Sequence, residues 1–226
     1  MSLNNDGRGG RTGEMLRLFD NHDPRLPYYD LILSRDLAGI SEYPLPDGYS
    51  YTSYAPGGSE DWIGIEMSAR EFDSADDGRN AWDRFFGGRE ALLPDRMFFV
   101  ADTAGNRIAT ATAYFDIHTG DDGENGWLHW VAVKREEQGR GLSKPLITHT
   151  LVRLAELGYT RAFIHTQTTT WLACRIYLDL GFLPDPLNAD KSRRGWEIVK
   201  SLTGHPSLEG FGEADLSCFL RGSEKK

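Results

Sequence analysis

Gly139 and Gly141 stand in the stretch EEQGRGLSKPLITHT, Glu136 to Thr150, directly after the apolar run WLHWVAV, Trp127 to Val133. Glycine accepts positive φ and lets a backbone approach a ligand closely. Pro145 follows at a spacing that puts it in the first turn of a helix, where its missing N–H costs little. A helix start carries about four N–H groups without intrahelical partners and roughly half a positive charge. The spacing therefore fits an anion cradle at the Gly139–Gly141 turn, with a diphosphate as its usual guest and Arg140 and Lys144 adding charge at the mouth, and it fits a plain strand-to-helix turn as well. The pattern GxxxxGKS/T is absent, and position 144 is lysine where a dinucleotide fingerprint needs glycine, so neither of those phosphate loops fits.

His129 lies four residues before Val133, in the run that leads into the cradle. In a strand, alternation would put it on one face with Trp127, Val131 and Val133. An imidazole with its ordinary pKa near 6.5 can take a proton from a nucleophile, directly or through water. A hydrogen-bonded histidine between two tryptophans is the plainer alternative, and Glu66 is a remoter base. His165 and Gln167 alternate in the polar stretch HTQT, and Asp116 and His118 close a hairpin; all are secondary candidates to face a ligand. Neither the six histidines nor the two cysteines, Cys174 and Cys218, show metal-ligand spacing, so no metal is expected. Cys174 reads as an inert buried thiol in a reducing compartment.

The elements that must position these groups are legible as alternating strands and periodic helices. YSYTSYA, RMFFVAD, RIATATAYFDI, GWLHWVAV and TRAFIHTQT read as strands, the second and third joined as a hairpin by TAGN and the third and fourth by a turn at DDGEN. Helices are expected over SEDWIGIEMSAREF, with Trp62, Ile65, Ala69 and Phe72 in register, and from Ser74 onward, with Trp82, Phe85 and Phe86 on one face. Pro145 to Leu157 places Ile147, Leu151 and Leu154 on one stripe and ends at Gly158. TWLACRIYLDLGF places Leu172, Ile176 and Leu180 in register and ends at Gly181. RGWEIVK reads as a late strand, and LPYYDLILSRDL fits a strand or a short helix. The tally is a mixed sheet, antiparallel at first, with a strand–helix–strand crossover in the second half.

The chain has 226 residues, 39% of them hydrophobic, which suits one sizeable domain, and no apolar run reaches the ~18 residues of a membrane span. Residues 1–14 are polar and glycine-rich and read as a tail, leaving 15–226 as a single domain with its core at about 48–200. A net charge of −9 argues against a nucleic-acid binder and agrees with a cationic substrate. With no leader-like pattern, a cytoplasmic, soluble protein is expected.

The segment VAVKREEQGRGLSKPL, followed about thirty residues later by TWLACRIYLDLGF, resembles the GNAT superfamily of acetyl-CoA-dependent N-acyltransferases. The family's coenzyme loop reads Q/R-x-x-G-x-G/A, met by Gln138 and Gly141, with Ser143 in the last place. Its later helix reads N-x-x-A-x-x-x-Y-x-x-x-G-F, met by Ala173, Tyr177, Gly181 and Phe182, with Thr170 in place of Asn. The likeness is specific from Trp127 to Leu183 and extends more weakly back to about residue 48.

This resemblance implies an α/β fold with a mixed, largely antiparallel central sheet flanked by helices and a splay between its two central parallel strands. It implies acetyl-CoA as co-substrate, its arm along Val131, Ala132 and Val133. The diphosphate would lie on Gln138, Gly139, Arg140, Gly141, Leu142, Ser143 and Lys144, with Thr170 and Ala173 beside the arm. Tyr177 takes the family's acid position, and an N–H near Val131 would hold the oxyanion. HWVAV is similar to arylalkylamine N-acetyltransferases, which have a histidine where His129 stands. The first two helices, with Trp62, Phe72, Trp82 and Phe86, either pack the core or cover the acceptor.

The expected reaction is transfer of an acetyl or short acyl group to a primary amine, small-molecule or peptide, by direct attack in a ternary complex, since no Cys or Ser is placed as a relay. The acceptor's identity stays open, and a homodimer is compatible with the reading. A silent acyl-CoA binding or sensing module and a nucleotide-binding phosphate loop are the competing classes.

Overall fold

A computed structural model of the chain describes residues 23–115, 123 and 125–220. The expected tail at 1–14, Asp116, His118 and most of the DDGEN turn lie outside the described residues. The centre of the fold is a seven-stranded sheet. Its strands are β1 (Asp30–Asp36), β2 (Ser50–Ser53), β3 (Met97–Ala101), β4 (Arg107–Tyr114), β5 (Asn125–Val133), β6 (Arg161–Gln167) and β7 (Leu183–Pro184). They lie in the order β2-β3-β4-β5-β6-β1-β7, and every neighbouring pair is antiparallel except β5 with β6. This is the mixed, largely antiparallel sheet that the strand pattern predicts.

Helices cover both faces. On one side α1 (Ser59–Ser68) and α2 (Ala75–Phe86) bury Trp62, Ile65, Trp82 and Phe86 against Phe99 and Trp127. On the other, α3 (Ser143–Glu156), α4 (Trp171–Asp179) and α5 (Arg193–Thr203) close over Leu31, Leu33, Leu128 and Ile164. A short α6 (Ser217–Leu220) follows. Ser74 caps α2 through its hydroxyl, 3.2 Å from the Asp77 N–H.

RGWEIVK, expected as a strand, lies wholly within α5 and makes up most of it. The buried residues Gly195, Trp196, Ile198, Val199 and Leu202 recur every three to four positions, which is a helical face and not an alternating one. The place beside β6 is filled instead by β1, which pairs with it over seven rungs from Asp30↔Gln167 to Asp36↔Arg161. The N-terminal segment thus supplies a strand inside the sheet, between β6 and β7, and the buried core reaches back to Leu26, ahead of residue 48. α5 then packs across β1 so closely that a Cβ on Gly195 would lie 2.8 Å from Tyr29 Cβ.

Two irregularities shape what lies between the central strands. Thr110 pairs with Ala132 while Thr112 pairs with His129, so one residue of β4 faces two of β5. This bulge places Trp130 at φ 51°, a left-handed conformation that bulky residues rarely hold. It also reverses the alternation: Trp127 and Ala132 belong to one core, Leu128 and Val133 to the other. His129 therefore does not share a face with Val133, contrary to simple alternation, and its ring sits among Phe85, Tyr114 and Trp130. Second, β5 and β6 pair only from Asn125↔Arg161 to Trp127↔Phe163. Past that rung β5 stays with β4 and β6 with β1, which opens the splay.

Candidate functional site

The splay holds a groove of about 660 Å³, within the usual range of ligand sites. Val131, Ala132 and Val133 form its strand wall, and Thr170, Leu172, Ala173 and Ile176 its helical wall. Leu172 and Ile176, expected on the packed stripe of α4, are half-buried here, while Trp171, Cys174, Tyr177 and Leu178 make the buried stripe. Gln138, Gly139, Gly141, Leu142, Ser143 and Lys144 line the far end of the groove.

That end has the geometry of an anion cradle. Gly139 and Gly141 both adopt φ 79°, a conformation glycine holds without strain. α3 starts at Ser143 with Pro145 inside its first turn, and its first internal bond runs from Leu146 N–H to Leu142 C=O. The N–H groups of Ser143 and Lys144 therefore have no partner within the helix. Ser143 itself escapes the positive φ that would strain it. Gln138 ties the loop to the strand by donating from Nε2 to the Val133 carbonyl at 3.0 Å. Lys144 pairs with Asp179 at 3.1 Å on the rim.

Arg140 is placed differently from the sequence-based expectation. Its guanidinium pairs with Glu137 at 3.2 Å and reaches the Tyr49 hydroxyl at 3.4 Å, and it does not line the groove. Thr170 precedes α4 without a side-chain cap; its hydroxyl bonds to Thr166 at 3.0 Å and to the Gln167 carbonyl at 3.1 Å.

A second, smaller chamber of about 200 Å³ adjoins the groove. The two share Glu71, Val131, Thr170, Ala173 and Tyr177 as walls. His129, Trp130, His165 and Gln167 face the chamber, as do Glu66 and Phe85. Tyr177 is 5% exposed, and burial, with Cys174, Glu71 and Glu66 adding to it, raises its pKa above the ordinary phenol value. It stays protonated and available as a donor. Burial, seconded by His165, pushes His129 down to about 3, so this imidazole is neutral throughout the physiological range and a far weaker base than an ordinary histidine. Its Nδ1 has no hydrogen-bond partner among the described residues. His165 is exposed and bonds to Asp30 at 2.9 Å. Cys174 is fully buried with its thiol pushed up to about 12 by burial, as an inert core thiol should be.

Two carboxyl groups, Glu66 and Glu71, line this chamber. Glu66 is 1% exposed, and its Oε1 has no hydrogen-bond partner among the described residues. Burial, with Glu71 adding to it, raises its pKa well above the usual carboxylate value. α1 ends at Ser68, short of the expected Phe72, because the chain turns back: Arg70 takes φ 69° and the Glu71 N–H bonds to the Glu66 carbonyl at 3.0 Å. This helix-ending motif returns Glu71 over the helix end. Glu71 and Phe85 were not singled out from the sequence as site residues; a left-handed arginine leaves no compositional signal where glycine is usual, and Phe85 reads as one more core aromatic. Trp62, Trp82 and Phe86 do pack the core, while Phe72 is half-buried against Trp62 and Trp130.

Among the described residues, no group of three or more His, Cys, Asp or Glu side chains could hold a metal ion. No helix among them is long and apolar enough to cross a membrane.

Known proteins resemble this chain in sequence and in fold. A mycothiol acetyltransferase from Actinosynnema mirum is 30% identical over 158 residues, covering 67% of this chain and 50% of that protein. The chain thus spans about half the length of the curated relatives it matches. A GCN5-related N-acetyltransferase from Sphaerobacter thermophilus aligns over 76% of this chain and 53% of its own, with a TM-score of 0.56 at 17% identity. A tandem GNAT protein from the clavulanic acid biosynthesis pathway aligns over 81% of this chain and 57% of its own, with a TM-score of 0.51 at 16% identity. Both share the fold. Residues 60–182, more than half of the chain and the whole span from α1 through the cradle to Phe182, match the acetyltransferase (GNAT) family, and the chain belongs to that family.

Proposed function

We propose that the protein transfers an acetyl or short acyl group from acetyl-CoA to a primary amine by direct attack in a ternary complex. One observation carries this reading: the groove that ends in the anion cradle and the carboxyl-lined chamber meet at Val131 and Tyr177. A thioester delivered along the groove would present its carbonyl at that junction, and an amine would reach it from the chamber. The cradle's Ser143 and Lys144 N–H groups would take the diphosphate, and an N–H near Val131 would hold the developing oxyanion. The amine nitrogen bonds to the carbonyl carbon, the carbon–sulfur bond breaks, Tyr177 protonates the departing thiolate, and the proton that the nitrogen gives up restores the phenol. His129, held neutral, is placed to orient the amine or a relay water by accepting a hydrogen bond.

The relatives named as mycothiol acetyltransferases support acetyl transfer to a small molecule. The 200 Å³ chamber agrees, since it falls below the usual 300–1,000 Å³ of ligand pockets and suits a compact acceptor. An amine panel with acetyl-CoA, scored by thiol release and accompanied by titration of acetyl-CoA and ATP, tests the reading. Turnover of at least one amine and selective binding of acetyl-CoA are expected. Acetyl-CoA binding without any turnover would point to a sensing module, and preference for ATP to a nucleotide site.

A further inference from the structure

Glu66 has no structural employment. A fully buried carboxyl without a partner for Oε1 costs stability, and nothing among the described residues compensates it. It lines the chamber wall together with Phe85 and Trp130, and the chamber's other titratable groups are Glu71, His129, His165 and Tyr177. Of these, His165 is exposed and engaged with Asp30, and Tyr177 is a donor.

We propose that Glu66 receives the acceptor's ammonium group and takes its proton, and that the acceptor is a compact primary amine with no carboxylate on the carbon bearing the nitrogen. This rests on the acyl-transfer reading above and names its substrate class. Burial and the neighbouring Glu71 favour the protonated form of the Glu66 carboxyl. An incoming ammonium supplies the missing countercharge, so Glu66 ionises as the amine binds and one proton leaves for solvent. The ammonium then gives a proton to Glu66, and the freed lone pair attacks the thioester carbon. As the intermediate collapses, the nitrogen loses its second proton, the carbon–sulfur bond breaks, and the sulfur takes a proton from Tyr177, which the nitrogen's second proton replaces.

His129 is the poorer acceptor in this step, because burial and the neighbouring His165 disfavour the imidazolium that taking the ammonium's proton would create. The same pair of carboxyls sets selectivity, because a carboxylate beside the nitrogen would approach the buried Glu66 from the side where Glu71 stands, exposed, at the chamber's edge.

Matched pairs test this: phenethylamine against phenylalanine and putrescine against ornithine, with acetyl-CoA, on the wild-type chain and Glu66→Gln. The wild type should turn over the amine of at least one pair with kcat/KM at least ~100-fold above its carboxylated partner. Glu66→Gln should lose ~100-fold or more on that amine while binding acetyl-CoA normally. Equal use of both members by the wild type, a comparison that needs no variant, overturns the proposal. So does undiminished turnover by Glu66→Gln, and both results leave acyl transfer itself standing. Absence of turnover with every amine despite acetyl-CoA binding instead overturns the acyl-transfer reading, and this proposal with it.

Discussion

Trp127 and Phe163 form the last rung at which β5 and β6 run side by side, their rings 5.4 Å apart. Beyond them the strands part, one held by β4 and the other by β1. The hydrogen-bonding edge that β5 would have offered to β6 is thereby left to the groove, next to a bulge that turns His129 and Ala132 to one side. Sheet topology and groove are one feature: the groove exists because the parallel pair is only three residues long.

That space should be closable without unfolding the chain. Ala173 is half-buried on α4 and lines both cavities. Ala173→Leu adds a branched side chain where the coenzyme's arm is proposed to run, and an open groove can accept it without core strain. Acetyl-CoA affinity should fall at least ~10-fold by calorimetry, while the melting temperature moves by no more than ~3 °C, equivalent to ~1 kcal/mol in a chain of this size. Unchanged affinity would place the coenzyme elsewhere.

The parts of this fold that are legible in the sequence are those set by local backbone demands. Gly139, Gly141 and Pro145 announce a turn and a helix start because few other residues meet those φ requirements, and Ile147, Leu151 and Leu154 repeat with the helix. What is not legible depends on distant partners. Nothing in DLILSRD says that β1 will take the sheet position next to β6, and RGWEIVK reads locally as a strand although its buried face is helical and packs against β1. The bulge at Trp130 inserts one residue into an otherwise regular alternation, and no residue type marks it. Glu66 was visible only as a remote candidate, because burial and lack of a partner are tertiary properties.

Tyr177→Phe removes one hydroxyl and keeps the ring, which packs edge-on to Phe182 at 6.1 Å. Loss of a general acid at a thiolate departure should lower kcat by ~100-fold or more. The KM for acetyl-CoA should stay within about twofold, because the phenol acts in the transition state and not in holding the diphosphate. A kcat within about threefold of wild type removes Tyr177 from the reaction.

Gly195→Ala separates the observed helix α5 from an ordinary one. In an exposed helix, replacing glycine by alanine stabilises by about 1 kcal/mol. Here the new methyl would meet Tyr29 Cβ at 2.8 Å and Leu31 Cδ2 at 2.9 Å, where α5 crosses β1. Overpacking of this kind costs about 1–3 kcal/mol, so the melting temperature should drop. A rise would mean that α5 does not lie tightly on the N-terminal strand.

Glu66 and His129 should tilt the pH dependence of stability in opposite directions. The folded-state pKa of Glu66 is raised, so the unfolded chain sheds this proton as pH passes about 4.5 while the folded chain keeps it. Its contribution is therefore present at low pH and lost as pH rises, by up to ~1.4 kcal/mol per unit. Glu66→Gln, which carries no such proton, should melt above wild type at pH 7 and with it near pH 4. The folded-state pKa of His129 is depressed to about 3, so its contribution is present above about 6.5 and lost as pH falls toward 3. His129→Phe should gain on wild type progressively below pH 6.5 and show no such gain between pH 7 and 8.5. Thermal melts of the three proteins at pH 4, 5.5, 7 and 8.5 give both slopes. A Glu66→Gln variant no more stable than wild type at pH 7 would mean that water or a partner already satisfies the carboxylate, and the chamber would lose the group proposed to receive an ammonium.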